Sequence, residues 1–573
     1  MTKALFVGRV RFVTALFALL SIVIVGRLYL LQVVRADMYT MRADAQFAPP
    51  ASPLLMRDSI YFTDKNGTLI TAATLTQGFT LAINPAKVAD AESLYISLSQ
   101  IVQELSHDDF IARATKEGSL YQMVAERLDA QTAAAIHELS LLGVILSKNQ
   151  WRFYPGGSLA AQELGFVAYN NGNVLEGRYG LERYWEQTLA RQDSDLYTNF
   201  FVQLFGAAQS VFNGTPQTGD LLTTIEPSVQ AELERTLAAY ANDWHPRLAG
   251  GIVMDPKTGE IYAMAINPTF DLNAFGAQKD PFIFKNTMVE DVFEMGSIMK
   301  PLTLAAGIDS GVITPESTYK DTGCITVDTK KICNYDLRAR GEVPMQEILS
   351  QSLNLGASYV ATQMGPAVMR DYFLNRYKLG EETGIDLPSE AHGLTDNIAK
   401  SSRQVEFDTA SFGQGIAITP IAMVQALATL ANGGKLVPPH FVRAVRYDSG
   451  ITRALSWAGS SQALQPGSAL AVSRMLTQVV DTALVDGKIK IERHSVAAKT
   501  GTAQIANPQG GGYYTDRFLH SFFGYFPSYD ARFIVFLFAL EPQGASYSSQ
   551  TWALPFHSLT QFLISYYDIP PDR

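Results

Sequence analysis

The sequence has few of the residues that mark metal, redox or nucleic-acid chemistry. Its 573 residues include only two cysteines and eight histidines, and neither an H-E-x-x-H nor a C-x-x-C cluster occurs. No long acidic or basic run is present, and the net charge of −10 argues against nucleic-acid binding, which needs a basic face. We therefore expect a globular chain of about two to four domains, with no metal, no cofactor and no nucleic-acid partner.

The two cysteines lie close together in the chain. Cys324 begins one short run of strand-forming residues and Cys333 ends a second. The turn Asp328-Thr329-Lys330 separates the two runs. This pattern predicts a β-hairpin that places the cysteines opposite each other. If the domain is exported, we expect a disulfide worth about 2 to 3 kcal/mol. The alternative is a pair of buried free thiols.

A long apolar segment near the N-terminus predicts a membrane anchor. A helix over residues 12–34 is about 34 Å long, enough to cross a bilayer core of ~30 Å. Arg27 then has to reach outward to the interface. Basic residues precede the segment, so residues 1–11 are predicted to be cytoplasmic and the chain after about Asp37 to lie outside the cell membrane. The alternative is a cleaved signal peptide, although no small-x-small cleavage site follows cleanly.

Ser297 and Lys300 are three positions apart in a stretch that suits the start of a helix. Residues at this spacing share one helix face, so the amine of Lys300 can reach the hydroxyl of Ser297. Gly296 suits a tight entry, and the positive end of the helix dipole favours an alkoxide. The pair alone carries little weight, because a chance S-x-x-K is common and usually marks an exposed helix face.

Two further stretches strengthen the pattern. Ser352-Leu353-Asn354 and Lys499-Thr500-Gly501-Thr502 follow in order at domain-scale spacing. The trio S-x-x-K, S-x-N and K-T-G resembles the active-site motifs of the penicillin-recognising serine acyl-transferases. A second K-T-G begins at Lys257, but it lies on a predicted turn between two strands and is followed by Glu260. We therefore assign it a structural role.

The whole pattern resembles the class B penicillin-binding proteins. The resemblance is tight over residues 220–573, where Met295 stands in the place of the proline found in many relatives. The resemblance is looser in the residues before 220. Residues 57–67 are similar to the R-G-x-I-Y-D-R-N-G opening of the family's pedestal, with Asp58 in place of the glycine, and stretches within 152–185 resemble a second pedestal signature.

This resemblance implies an α+β multidomain fold. An N-terminal transmembrane helix is expected to precede an elongated mixed α/β pedestal, or dimerisation-like domain, over residues 37–219. A transpeptidase domain over residues 220–573 is expected to hold an antiparallel sheet flanked by helices, with a helical subdomain. Within the pedestal, apolar spacing predicts amphipathic helices over 93–106 and 120–139, and the turn at 64–67 predicts a hairpin.

The resemblance also implies catalytic roles for three residues. Ser297 is the expected nucleophile and Lys300 its base, provided that burial and the nearby cation of Lys499 keep the Lys300 amine neutral. Ser352 is expected to relay the proton to the leaving amine.

Substrate binding is assigned in the same way. Asn354 is expected to hold Lys300 and the substrate backbone at once, because its amide both donates and accepts. Lys499, Thr500 and Thr502, within the strand that contains Gly501, are expected to bind the substrate carboxylate. The N–H groups of Ser297 and Thr502 are the expected oxyanion donors, worth about 3 kcal/mol each.

The activity implied by the family is that of a peptidoglycan D,D-transpeptidase. Such an enzyme releases D-Ala from a stem peptide ending in D-Ala-D-Ala and passes the acyl group to an amine on a neighbouring strand. β-Lactams are expected to acylate Ser297. No stretch between the anchor and the pedestal resembles a glycosyltransferase domain, so a SEDS-family glycosyltransferase is the expected partner. Division and elongation both remain open as the process served.

Three other functions could use the same residues. A β-lactam hydrolase needs a base that activates water, and no obvious Glu-x-x-x-Asn stretch follows Ser352. A β-lactam receptor that signals inward needs several membrane spans or a cytoplasmic effector, and the tail before Phe12 is too short for an effector. A catalytically silent scaffold predicts that Ser297→Ala still supports growth.

Overall fold

The structure is a computed structural model that describes residues 56–170, 174–191, 218–447, 449–457, 459–507 and 509–573. The predicted membrane anchor, residues 12–34, lies outside these ranges. Among the helices of the described residues, none has both the length and the apolar character needed to span a bilayer.

The described chain divides into two compact units. One contains residues 75–152, and the other contains residues 56–74 together with 153–573. The predicted domain boundary at residue 219 rests on sequence patterns and stays a prediction.

The predicted hairpin near residue 64 is present. Strand β1 (Ile60–Thr63) pairs antiparallel with the start of strand β2 (Leu69–Ile83). Asp64 Oδ1 accepts hydrogen bonds from the N–H groups of Asn66 and Thr68, at 2.8 and 2.7 Å, and so closes the turn.

The unit of residues 75–152 is a small α/β assembly. Besides part of β2 it contains three helices and two strands. In chain order these are α1 (Ala91–Ser99), α2 (His107–Ala114), β3 (Gln122–Leu128), α3 (Ala130–Glu138) and β4 (Val144–Phe153). Strands β3 and β4 both pair with β2. Leu81, Leu98, Phe110 and Ile136 lie in its core, so the strands and helices share one apolar layer.

Two helix predictions in this unit were wrong in extent. The helix predicted over 93–106 ends at Ser99, and that predicted over 120–139 is a strand followed by a helix. Asp129 explains the second boundary, because its carboxylate accepts a hydrogen bond from Thr132 N–H at 2.6 Å and caps the helix there. The residues before it pair with β2, a long-range contact that overrides local spacing.

The larger unit contains the remaining elements. In chain order they are α4 (Ala161–Leu164), β5 (Val167–Tyr169), β6 (Leu175–Gly177), α5 (Gly180–Tyr184), α6 (Glu186–Leu189), β7 (Gly219–Thr223), α7 (Pro227–Trp244), β8 (Leu248–Met254), β9 (Ile261–Asn267), α8 (Thr287–Glu290), α9 (Lys300–Asp309), β10 (Thr318–Asp321), β11 (Cys324–Val327), β12 (Lys330–Cys333), β13 (Gly341–Pro344), α10 (Gln346–Ser350), α11 (Asn354–Arg370), α12 (Asp396–Ala399), α13 (Gln404–Ala410), α14 (Pro420–Ala431), β14 (Lys435–Leu436), β15 (Val442–Tyr447), β16 (Thr452–Ala454), β17 (Ser461–Gln462), α15 (Pro466–Gln478), β18 (Ala497–Ala506), β19 (Tyr513–Phe526), β20 (Phe533–Leu540) and α16 (Ser548–Tyr566).

An antiparallel five-stranded sheet forms the centre of this unit, in the order β18-β19-β20-β8-β9. On one face, Phe522 packs against Phe556 of α16, with ring centroids 4.6 Å apart. On the other face, the hydroxyl of Tyr525 lies 2.7 Å from that of Ser473 in α15. Helices therefore cover both faces, as the resemblance implied. Strand β18 is at the edge, so one of its sides is free to face a cleft.

Helix α9 lies among the other helices of this unit. It packs against α11, α14 and α15, and α11 packs against α13. Nearly all of its side chains are buried, including that of Lys300 at its first position. The amine of Lys300 is therefore held within a packed group of helices.

The predicted disulfide hairpin is confirmed. Strands β11 and β12 pair antiparallel, with Cys324 directly opposite Cys333. Their sulfur atoms are bonded. The alternative of two free thiols is therefore wrong.

Candidate active site

Ser297 and Lys300 meet as their spacing predicted. Residues 296–299 form a 3₁₀ turn, here named the nucleophile turn, which leads directly into α9. In a 3₁₀ turn, side chains three positions apart lie above one another. The Nζ atom of Lys300 is 2.9 Å from Ser297 Oγ, within hydrogen-bond distance.

Ser352 completes the surroundings of the Lys300 amine. It lies between α10 and α11 with a positive φ of 56°, a conformation that a non-glycine residue keeps only when its surroundings require it. This conformation turns both its oxygens toward Lys300. Lys300 Nζ is 2.5 Å from the Ser352 carbonyl oxygen and 3.2 Å from Ser352 Oγ.

Lys499 approaches the same serine from the sheet. Its Nζ atom is 3.0 Å from Ser352 Oγ and also donates to the carbonyl of Thr500 at 3.0 Å. The hydroxyl of Ser352 thus lies between two amines that come from α9 and β18. A proton can pass between Ser297, Lys300 and Ser352 through contacts already in place.

Burial changes the proton affinity of both amines. Lys300 is fully buried, and burial together with the nearby charge of Lys499 lowers its pKa well below the ordinary value. Burial also lowers the pKa of Lys499 to about 7. The lowered pKa favours the neutral form of the Lys300 amine, which can accept the proton of Ser297. With a pKa of about 7, a large fraction of Lys499 still carries a positive charge at neutral pH.

Gly501 allows β18 to lie directly against the nucleophile turn. A Cβ at this position would be 2.2 Å from Ser521 Oγ and 2.8 Å from the carbonyl oxygen of Met295. Ser521 is the cross-strand partner of Gly501, and it donates a hydrogen bond to that same carbonyl at 2.9 Å. The strand and the turn are therefore held at a fixed separation.

The two threonines of this strand, Thr500 and Thr502, are partly exposed. Thr502 Oγ1 accepts a hydrogen bond from the N–H of Ser548 at 3.1 Å, which fixes its side chain at the start of α16. Thr500 and Thr502 alternate with the buried Gly501, so their side chains lie on the same side of the strand.

The second K-T-G lies on the turn between two strands that was predicted for it. Lys257 lies on the turn between β8 and β9, where it pairs with the carboxylate of Asp530. The side chain of Lys257 is 46% exposed, whereas Lys499 is buried. The same three residues therefore occur once on an exposed turn and once in a buried site.

The prediction for Asn354 was wrong in one respect. Its side-chain amide donates to the carbonyl of Cys333 at 3.0 Å, in the disulfide hairpin. Among the hydrogen bonds of the described residues, none joins Asn354 to Lys300. The Lys300 amine is already surrounded by Ser297 and Ser352, and the position of Asn354 at the start of α11 turns its amide toward the hairpin.

Comparison with known proteins identifies the family. Residues 249–556, more than half of the chain, match the family described as penicillin binding protein transpeptidase domain. Residues 57–200 match the penicillin-binding protein dimerisation domain. The chain is a class B penicillin-binding protein.

Individual relatives of this class B penicillin-binding protein match most of the chain. Stage V sporulation protein D of Bacillus subtilis is 26% identical over 503 residues, covering 86% of this chain and 75% of that protein. The peptidoglycan D,D-transpeptidase FtsI homolog of Mesostigma viride is 25% identical, covering 98% of this chain and 96% of that protein. The crystal structure of penicillin-binding protein 3 from Mycobacterium tuberculosis complexed with aztreonam gives a TM-score of 0.64 at 25% identity, covering 74% of this chain and 92% of that one.

Several contacts of this class B penicillin-binding protein could not be found from its motifs. Ser521, Cys333 and Asn334 touch the motif residues or their neighbours, yet none belongs to the trio. Their places depend on strand register and on contacts between distant segments. No local sequence signal identifies them.

Proposed function

We propose that this protein is a penicillin-sensitive peptidoglycan D,D-transpeptidase that works through an acyl ester on Ser297. The observation that carries the proposal is the buried amine of Lys300, with a strongly lowered pKa, at 2.9 Å from Ser297 Oγ. The family match and the D,D-transpeptidase name of a relative similar over nearly its whole length support the same activity.

Acylation uses the contacts already described. Ser297 Oγ attacks the carbonyl carbon of the penultimate D-Ala while Lys300 Nζ accepts the hydroxyl proton. The resulting tetrahedral oxyanion is stabilised by the N–H groups of Ser297 and Thr502. When the C–N bond breaks, the leaving D-Ala amine takes a proton through Ser352 Oγ, which lies 3.2 Å from the Lys300 amine. The products are an ester on Ser297 and free D-Ala.

Transfer reverses the proton path. An amine of a second stem peptide attacks the ester, Lys300 or Ser352 removes its proton, and the proton returns to Ser297 Oγ as the ester bond breaks. Lys499 and the side chains of Thr500 and Thr502 bind the terminal carboxylate of the donor. A β-lactam carries a carboxylate and an acyl group in a similar arrangement, and its tethered leaving group keeps the ester in place.

The direct test is to locate the acyl group. We expect the full chain, labelled with a fluorescent penicillin and digested, to show the adduct by mass spectrometry on the peptide that contains Ser297. Ser297→Ala should remain unlabelled, and Ser310→Ala, at the far end of α9, should label normally. The unlabelled enzyme should also release D-Ala from a pentapeptide donor only when Ser297 is present.

Two outcomes of the same experiment contradict the proposal. Label on another residue would displace Ser297 as the nucleophile. Loss of the penicilloyl ester within seconds would favour a β-lactam hydrolase, because a transpeptidase holds this ester for much longer.

We further propose that residues 12–34 anchor the chain in the cytoplasmic membrane, with the N-terminus inside and the catalytic domain outside. The apolar segment and the disulfide, which is typical of exported domains, support this topology. Protease added to spheroplasts is expected to digest the penicillin-labelled domain, and protection of that domain would contradict the topology. A SEDS-family glycosyltransferase is the proposed membrane partner, to be sought by co-purification in mild detergent.

A further inference from the structure

The disulfide hairpin is held at its turn by a hydrogen bond and at its base by a covalent bond. Its turn is held by Asp328, whose carboxylate accepts a hydrogen bond from Val405 N–H at 3.1 Å. Its base is closed by the bond between Cys324 and Cys333. Most residues of β11 and β12 are at least partly exposed, and a two-stranded ribbon of this kind has little stability of its own. The disulfide is therefore a covalent restraint at the base of the hairpin.

The base of the hairpin touches the Ser-x-Asn motif directly. The carbonyl oxygen of Cys333 accepts the hydrogen bond from Asn354 Nδ2 at 3.0 Å. The next residue, Asn334, accepts a hydrogen bond from Leu355 N–H at 3.2 Å through its side-chain oxygen. Two consecutive hairpin residues thus hold two consecutive residues at the start of α11.

Asn334 can make this contact because its side chain is fixed. It is 1% exposed, and its Nδ2 lies 3.0 and 2.9 Å from the two carboxylate oxygens of Asp321. A carboxylate accepts hydrogen bonds only, so the amide nitrogen must face Asp321 and the amide oxygen must face Leu355. The backbone N–H of Asn334 donates to Gly323 O at 2.9 Å, which ties it to the opposite side of the hairpin.

This contact supplies a cap that α11 lacks. Leu353 precedes the helix and makes no side-chain hydrogen bond to it, although the first N–H groups of a helix need acceptors. Asn334 provides one from outside the helix. Since Ser352 comes immediately before Leu353, the hairpin fixes the segment that places Ser352 Oγ between Lys300 and Lys499.

We propose that Asn334 and the Cys324–Cys333 disulfide are positioning groups for the segment 352–354, so that opening the disulfide slows acylation of Ser297. This inference rests on the proposed function. With the bond open, β11 and β12 separate at their base and the Cys333 carbonyl leaves Asn354. A displacement of about 1 Å at a reacting group can cost up to about 100-fold in rate, and we expect a partial loss of about tenfold.

The disulfide can be opened by a dithiol reductant. The reductant supplies two electrons and two protons, the S–S bond breaks, Cys324 and Cys333 become thiols, and the reductant is oxidised to its own disulfide. Both cysteines are partly exposed, so dithiothreitol can reach the bond.

The experiment measures the second-order rate of Ser297 acylation by a fluorescent penicillin, with the oxidised and the reduced full chain. We expect the reduced protein to react about tenfold more slowly, because the acylation rate at saturating penicillin is lower. Reoxidation should restore the original rate. Cys324→Ser/Cys333→Ser should be slow and insensitive to reductant, and Asn334→Ala should be slow in both forms. Lys331→Ala, an exposed hairpin residue, is the matched control and should behave as the unmodified chain.

The effect of reduction on the acylation rate of Asn354→Ala distinguishes two causes of a loss. One is loss of the contact that positions Asn354, and the other is a general loosening of the domain. If the hairpin acts through Asn354, reduction should change the rate of this variant less than twofold, because coupled residues are not additive. An equal or faster rate after reduction of the unmodified chain would overturn the inference, as would the same tenfold loss in the Asn354→Ala background. Absence of any acylation in the oxidised protein would instead overturn the proposed function.

Discussion

Lys300→Met is expected to leave the protein folded but nearly inert toward penicillin. Loss of a general base slows a reaction by about 10²- to 10⁴-fold, and Lys300 Nζ is the amine at 2.9 Å from Ser297 Oγ. The measurement is the rate of acylation by a fluorescent penicillin at neutral pH. Methionine has a length and shape similar to those of lysine, so the substitution removes the amine while keeping the packing of α9.

The stability of the same variant provides the control. A fully buried amine with a strongly lowered pKa adds little to the free energy of unfolding, because it loses its hydration on folding. The free energy of unfolding of Lys300→Met should therefore change by less than about 1 kcal/mol, which in a unit of this size shifts the thermal midpoint by at most about 2 °C. An unmodified acylation rate in this variant would show that another group takes the proton from Ser297.

Lys499→Ala and Lys257→Ala form a matched pair, because each removes the lysine of a K-T-G. A hydrogen bond to a charged group contributes about 1.5 to 3 kcal/mol, so Lys499→Ala should lower the second-order acylation rate by about 10- to 100-fold. Lys257 is exposed and paired with Asp530, so Lys257→Ala should change the rate less than about twofold. Equal losses in the two variants would contradict the assignment of Lys499 to carboxylate binding.

The pH dependence of acylation should have the same origin. Lys300 must be neutral, so the rate is expected to fall as acid protonates it. Lys499 must be charged to attract the carboxylate, so the rate should also fall as the pH rises through about 7, the pKa of Lys499 in the free enzyme. In Lys499→Ala the alkaline decline should disappear while the acid decline remains.

The core of the site could be predicted because its determinants are local. The S-x-x-K spacing fixes the contact between Ser297 and Lys300 through the geometry of one helical turn. The hairpin of Cys324 and Cys333 follows from two short strands and a turn. Choosing between the two K-T-G sequences was also possible, since Lys257 lies on a turn and Lys499 follows an apolar run.

Other contacts depend on how distant segments meet, and the sequence does not encode them locally. Ser521 reaches the Met295 carbonyl only because β19 pairs with β18 in one particular register. Asn354 turns toward Cys333 because the hairpin folds against the start of α11. For the same reason residues 122–128 are a strand, despite helical spacing, since their partner is the distant β2.

The small number of cysteines has a further consequence for production of the protein. Two cysteines permit a single intramolecular connectivity, so oxidation of the chain cannot give a scrambled isomer. The only incorrect products are reduced chains and covalent oligomers, which can be separated by size or by thiol capture. Homogeneous material should therefore be obtainable without a disulfide isomerase.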